Sequence, residues 1–183
     1  MKEIIWKPYH LLQLPPSADL SRWLLHTGSF IQRLQQFGIA GLVHVLNERW
    51  QLPLPTERQL LNLPYRTYAR VREVLIDSAE GKWMFARTVI PAITLTGKEQ
   101  QLANLKNRSL GSILFNHAAM TRSEFEFTCL HPEMGWHEKI CQHIPAFNQK
   151  LWARRSVFHL DNKPLLLSEI FSPEIKALKN AAY

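Results

Sequence analysis

The chain has 183 residues, 46% of them hydrophobic, two cysteines and a net charge of +7. That length suits one well-filled domain spanning residues 1–183, and the apolar share excludes a disordered chain. No apolar run approaches the roughly 20 residues of a membrane helix, and the first residues lack a signal-type stretch.

Two cysteines make no disulfide framework, so a cytoplasmic protein without membrane insertion is expected. Its positive charge fits nucleic acid, an anionic membrane or a small acid. The basic residues are dispersed, with Arg154-Arg155 the densest pair. A nucleic-acid binder gathers them in a run or on one helical face, so a small acid is the better partner and no nucleic acid is expected.

In chain order, residues 17–37 read as helical, with Leu20, Trp23, Leu24, Phe30, Ile31 and Leu34 near the 3.6-residue period. Thr27-Gly28-Ser29 breaks the pattern, so two helices are expected, the second capped by Ser29 or Thr27. Such a pair can read DNA, but its outward positions carry few cations. Val43–Leu46 begins a strand that Pro53-Leu54-Pro55 closes. Residues 66–77 and 83–95 read as a hairpin around Ala79-Glu80-Gly81-Lys82, with Pro91 either ending regular pairing or marking an edge. A polar helix is expected at 98–107, and a short one at 110–116 that Ser109 caps. After Glu124-Phe125-Glu126-Phe127 an irregular polar segment runs to about 149, and strands at 151–160 and 164–172 flank Asp161-Asn162-Lys163. Hairpin strands with helices grouped apart indicate α+β with an antiparallel sheet.

Chemistry-bearing residues sit on these strands. Glu169 shares a face with Leu165, Leu167 and Phe171, which makes it either a strand-end group reaching water or a buried acid. Arg70 and Arg72 share a face with Tyr68, Val74 and Ile76, while Glu73 faces the other way. A guanidinium on a rigid strand suits two-pronged capture of a carboxylate, although snorkelling arginines on a wet face give the same pattern. Arg87 beside Phe85 and Val89, and Arg154 beside Trp152 and Phe158, pose the same choice. Several arginines and one glutamate on apolar strands suit an aromatic or cyclohexadienyl acid. Cys129, His131, His137, Cys141 and His143 lie within fifteen residues, but their spacings are not those of familiar zinc sites. The chain has no G-x-S-x-G, P-loop, G-x-G-x-x-G or H-E-x-x-H motif.

Five stretches resemble the bacterial chorismate pyruvate-lyases of ubiquinone biosynthesis: Arg72-Glu73-Val74-Leu75-Ile76; Ala86-Arg87-Thr88-Val89-Ile90-Pro91 on to Thr94-Leu95-Thr96-Gly97; Leu110-Gly111 with Leu114-Phe115; Trp152-Ala153-Arg154-Arg155-Ser156; and Lys163 to Phe171. They follow the family's order and cover roughly residues 20–173. The resemblance implies a six-stranded antiparallel sheet with helices on one side, forming flaps over a buried ligand. It makes Arg72 the residue that binds the ring carboxylate and places Glu169 near the ligand's opposite end, the two being the catalytic pair. Leu110 matches a position that binds through its backbone, and Phe30 falls where the family often has Met, also used through its backbone. Residues 128–150 depart from the pattern by extra length and contain the Cys/His cluster, and no cofactor or metal is implied.

The implied reaction eliminates pyruvate from chorismate to give 4-hydroxybenzoate, the first committed step of ubiquinone biosynthesis, by a cofactor-independent carbon–oxygen lyase. Arg154 or Arg155 is expected to attract the side-chain carboxylate. Glu169 is expected either to bond the ring hydroxyl or to protonate the departing ether oxygen. A monomer is favoured. The rival is a non-catalytic effector-binding domain of the related fold, which normally follows a DNA-binding module.

Overall fold

Seven antiparallel strands form one sheet in a computed structural model that describes residues 4–144 and 149–178. They are β1 (Leu42–Gln51), β2 (Ala69–Ser78), β3 (Gly81–Pro91), β4 (Met120–Arg122), β5 (Glu126–Leu130), β6 (Leu151–Leu160) and β7 (Lys163–Phe171). The order across the sheet is β1-β2-β3-β7-β6-β4, with β5 also paired to β6. β5 takes Leu151 to Arg155 and β4 takes Phe158 to Leu160 of the same edge. Six positions therefore hold seven segments, which corrects the expected six strands. Asp161 and Asn162 have φ of 46° and 67°, the left-handed pair that a tight hairpin between β6 and β7 requires.

The helices are α1 (Ala18–Leu24), α2 (Phe30–Gln36), α3 (Pro55–Leu60), α4 (Gly111–Leu114) and α5 (Gly135–Cys141). The break at Thr27-Gly28-Ser29 separates α1 from α2, and the Ser29 side chain accepts from the Gln32 amide at 3.4 Å. Leu20, Trp23, Leu24, Phe30 and Leu34 pack on Val74, Ile76, Met84, Ala86 and Phe171. Leu102, Leu105, Leu110, Ile113 and Leu114 cover Ile90, Phe158 and Leu165 on the same face.

Helices on one side only is the expectation the fold corrects. Leu75, Phe85, Ala153 and Ile170 make the far face apolar too, and Ile140, Cys141 and Ile144 pack on it. Leu61, just past α3, covers Val71, Val89 and Leu166 there. A sheet apolar on both faces must be covered on both.

Two local expectations also change. The polar helix of 98–107 is a 3-10 helix, Gly97–Asn104, whose buried Glu99 and Leu102 stand three residues apart, the spacing that stacks in that geometry. The irregular segment before 149 contains the end of β5 and all of α5, anchored by Ile140 and Cys141; residues 145–148 lie outside the described residues. No helix among the described residues is long and apolar enough to cross a membrane.

A register shift between Val45 and Asn47 interrupts the pairing of β1 with β2. Val43 and Val45 pair with Ile76 and Val74, then Glu48 pairs with Arg72. The extra residue changes the parity of β1, so Val43 and Glu48 face the same way.

Candidate active site

Between the sheet and the α1–α2 and α4 segments lies a cleft with about 550 Å³ of empty space, part of it open to solvent. Arg72, Val74 and Ile76 of β2, Ala86 and Thr88 of β3, and Leu167 and Glu169 of β7 make its floor. Gly28 to Ile31 and Ser109 to Gly111 make its roof, with Leu114 and Phe115 behind. Gly111 allows the two roof segments to meet, because a Cβ there would stand 3.1 Å from Ser29 Oγ.

Arg72 and Glu169 face each other diagonally across β3, about 12 Å apart at Cα by the spacing of a sheet. The small Ala86 sits between Val74 and Glu169 and leaves room above the floor. Arg72 is 2% exposed. Its Nη2 donates to the carbonyls of Lys106 at 2.6 Å and Arg108 at 3.2 Å, fastening the segment that leads to α4. Among the described residues its buried Nε has no hydrogen-bond partner, and Glu48 Oε2 stands at 3.6 Å. Burial draws the guanidinium below its ordinary pKa, and Glu48 partly restores it.

Glu169 is held by Arg154, whose Nε and Nη2 donate to its two oxygens at 2.6 and 3.1 Å. Nη1 of the same guanidinium donates to the carbonyls of Leu24, at 2.9 Å, and of His26, so it closes the C-terminal end of α1. Burial, with Arg33 and Arg154 nearby, pulls the His26 imidazole down to about 4, so this ring is neutral at ordinary pH. Phe30 opens α2 and Leu110 immediately precedes α4. Amide groups at the start of a helix have no partner within it, and both residues line the cleft.

The arginines read from the sequence divide between the two faces. Arg154 is not among the residues that line the cleft; its guanidinium lies against Glu169 and the end of α1. Arg155 faces the other side and donates to Glu126 at 2.7 Å. Arg155 is not among the cleft-lining residues either, because strand parity turns it to the far face. Arg87 is also on the far face, donating to both oxygens of Glu57, at 2.7 and 3.0 Å, and to Glu73 at 2.8 Å.

Arg122 is the cleft residue the sequence reading missed. It ends a three-residue strand, too short to show a period. The neighbouring Phe125 and the apolar face of β6 were the available signals.

Nor do the five Cys and His residues of 129–143 converge on a metal-ligand set among the described residues. His137 and Cys141 share a face of α5, with Nδ1 and Sγ 3.5 Å apart, and His137 Nε2 lies 2.6 Å from the Gln149 carbonyl. Glu99, His117 and Asp161 are the one described group within ligand reach. The Lys163 ammonium already sits 2.6 Å from Glu99 Oε2.

The antiparallel sheet with helices packed against it is a recurrent architecture. The effector domain of PhnF from Mycobacterium smegmatis superposes with a TM-score of 0.59 at 10% identity, covering 81% of this chain and 91% of that one. The C-terminal domain of PhnF gives 0.60 at 15% identity, covering 81% and 93%. These likenesses concern the fold.

In sequence, the chorismate lyase family profile matches residues 1–178. A probable chorismate pyruvate-lyase of Coxiella burnetii is 36% identical over 181 residues, 95% of this chain and 94% of that protein. Another, of Methylococcus capsulatus, is 34% identical over 164 residues, 89% of this chain and the whole of that protein. The chain belongs to the chorismate lyase family, and thus to the carbon–oxygen lyases.

Proposed function

We propose that this chain converts chorismate to 4-hydroxybenzoate and pyruvate in the cleft between sheet and roof. The observation that carries this reading is the placement of Arg72 and Glu169 at opposite ends of one apolar-floored cleft. A ring acid with a hydroxyl opposite its carboxylate needs a cation at one end and an acceptor at the other.

Arg72 takes the ring carboxylate through its unpartnered Nε, while its Nη2 keeps the roof segment in place. The backbone amides of Phe30 and Leu110 complete the cradle, and Phe30 replaces the family's frequent Met without removing that amide. Glu169, fixed by Arg154, accepts from the ring hydroxyl. A carboxylate that already accepts on both oxygens is suited to orienting that hydroxyl rather than to donating a proton. The roof segments 28–31 and 109–111 act as flaps that exclude water once the ring is seated.

In the reaction the C3–O bond breaks with its electron pair leaving on enolpyruvate. The proton on C4 departs, its bonding pair completing the aromatic ring. Enolpyruvate gains one proton at its methylene carbon and becomes pyruvate. One proton is lost and one taken up, and no electron is exchanged with a third molecule. Aromatisation drives the step, and the protein contributes alignment and charge stabilisation.

Incubating the purified chain with chorismate tests the proposal, with equimolar 4-hydroxybenzoate and pyruvate as the expected result. Binding of chorismate without either product would instead favour an effector-type role.

A further inference from the structure

Among the described residues that line the cleft, Arg122 is the cation with donor capacity to spare at the Glu169 end. Its Nε donates to Ser156 Oγ at 2.8 Å and its Nη1 to the Thr27 carbonyl at 2.9 Å. Its Nη2 makes no hydrogen bond among the described residues, and Glu169 Oε2 stands 3.7 Å from it. The Arg122 guanidinium carbon lies 4.0 Å from the ring centre of Phe125 and 4.5 Å from that of Phe158. The group is therefore fixed by two hydrogen bonds and two aromatic contacts, with one nitrogen unused.

The charge balance points the same way. Arg122 and Arg154 share the single carboxylate of Glu169, which leaves one positive charge uncompensated at that end. Burial lowers the Arg122 pKa to about 10, with Glu169 raising it and Arg154 lowering it further. An arriving anion would relieve that cost.

The substrate supplies such an anion at that end. In chorismate the hydroxyl and the enolpyruvyl ether are on adjacent ring carbons, both away from the ring carboxylate. A ring placed with its carboxylate on Arg72 and its hydroxyl on Glu169 directs the side chain beside Glu169. We propose that Arg122 receives the enolpyruvyl carboxylate and stabilises the charge that develops on enolpyruvate as the C3–O bond breaks. The assignment rests on the lyase reading and deepens it. It makes Arg122 the residue that distinguishes the dianionic substrate from the monoanionic aromatic product, which has no side-chain carboxylate. Release of pyruvate then leaves Arg122 without its anion while Arg72 and Glu169 still hold the ring.

The test compares two ligands on the wild type, Arg122→Lys and Arg122→Met. One is 4-hydroxybenzoate. The other is 3-(1-carboxyvinyloxy)-4-hydroxybenzoate, which keeps the hydroxyl opposite the ring carboxylate and carries the side-chain carboxylate on the adjacent carbon of a ring that is already aromatic, and so does not eliminate. Calorimetry should give near-wild-type affinity for 4-hydroxybenzoate in both variants. The dianion should bind about 10–100-fold more weakly to Arg122→Met, and by a smaller factor to Arg122→Lys, which keeps the charge. Chorismate KM should rise with the dianion's dissociation constant, and kcat should fall as well.

Equal weakening of both ligands would reduce Arg122 to a structural residue and overturn the assignment, as would an unchanged dianion affinity. Should the Arg122 variants not fold, Ser156→Ala removes only the hydroxyl that accepts from Nε. It should weaken the dianion selectively by roughly two- to tenfold, and equal effects on both ligands would again overturn the assignment. A wild type that forms no product from chorismate would instead remove the lyase reading itself, and this assignment with it.

Discussion

Glu169 accepts from two nitrogens of Arg154, and that pair also closes the end of α1. Glu169→Gln turns one acceptor into a donor facing the guanidinium, leaving buried Arg154 with half its partner. The variant should lose about 3 kcal/mol of stability together with turnover. Urea unfolding and turnover on one preparation check this. A fully stable variant that loses only turnover would restore the general-acid role. Arg72 poses a different problem, because the guanidinium that fastens the roof carbonyls is also the one proposed to take the ring carboxylate. Lysine keeps the charge but has no rigid fork. Arg72→Lys should weaken 4-hydroxybenzoate binding by about one to two decades, and an unchanged calorimetric affinity in a folded variant would remove Arg72 from the site.

At the scale of elements, β2 carries charge on both faces, with Arg72 toward the cleft and Glu73 away from it, and the far face has its own network. Glu73 there accepts from Lys139 of α5 at 2.6 Å, from Arg87 of β3 at 2.8 Å and from Asn47 of β1 at 3.3 Å. It thus ties three elements behind the cleft floor. Burial pushes the Glu73 carboxyl up, but the bonds from Lys139 and Arg87 outweigh it and hold the group below its ordinary value of 4.5. A depressed carboxyl stabilises the fold above that ordinary value, and the contribution is lost as pH falls through the lowered one. The stability gap between wild type and Glu73→Gln should therefore stay constant from neutral pH down to about 5 and narrow on further acidification. Urea midpoints across that range measure it, and a gap independent of pH would refute the network's ionic character. The apolar alternation of β2 and β3 was legible in the sequence, but Arg87 belonged equally well to a cleft or to such a network. Only the position of α3, which brings Glu57 to Arg87, separates the two.

For the whole molecule, the elimination consumes neither an electron nor a net proton, and the chain should turn over without added metal. Dialysis against a strong chelator should leave the rate unchanged; activity lost and then restored by zinc would point to metal dependence. The sequence by itself determined the α+β class, the paired helices before β1, the hairpins β2–β3 and β6–β7, and the faces of Arg72 and Glu169. These depend on local periods of 2 and 3.6 residues and on turn chemistry, which one stretch of chain contains in full. Its ordered stretches also carried the family resemblance. Tertiary structure alone decided which arginines share a space. The bulge at β1 changes strand parity to bring Glu48 beside Arg72, and pairing with β6 sets three-residue β4 so that Arg122 reaches Glu169. It also fastens Arg154 to the end of α1 and supplies Glu126 to Arg155. Such facts depend on contacts between segments distant in sequence, and no local period records them.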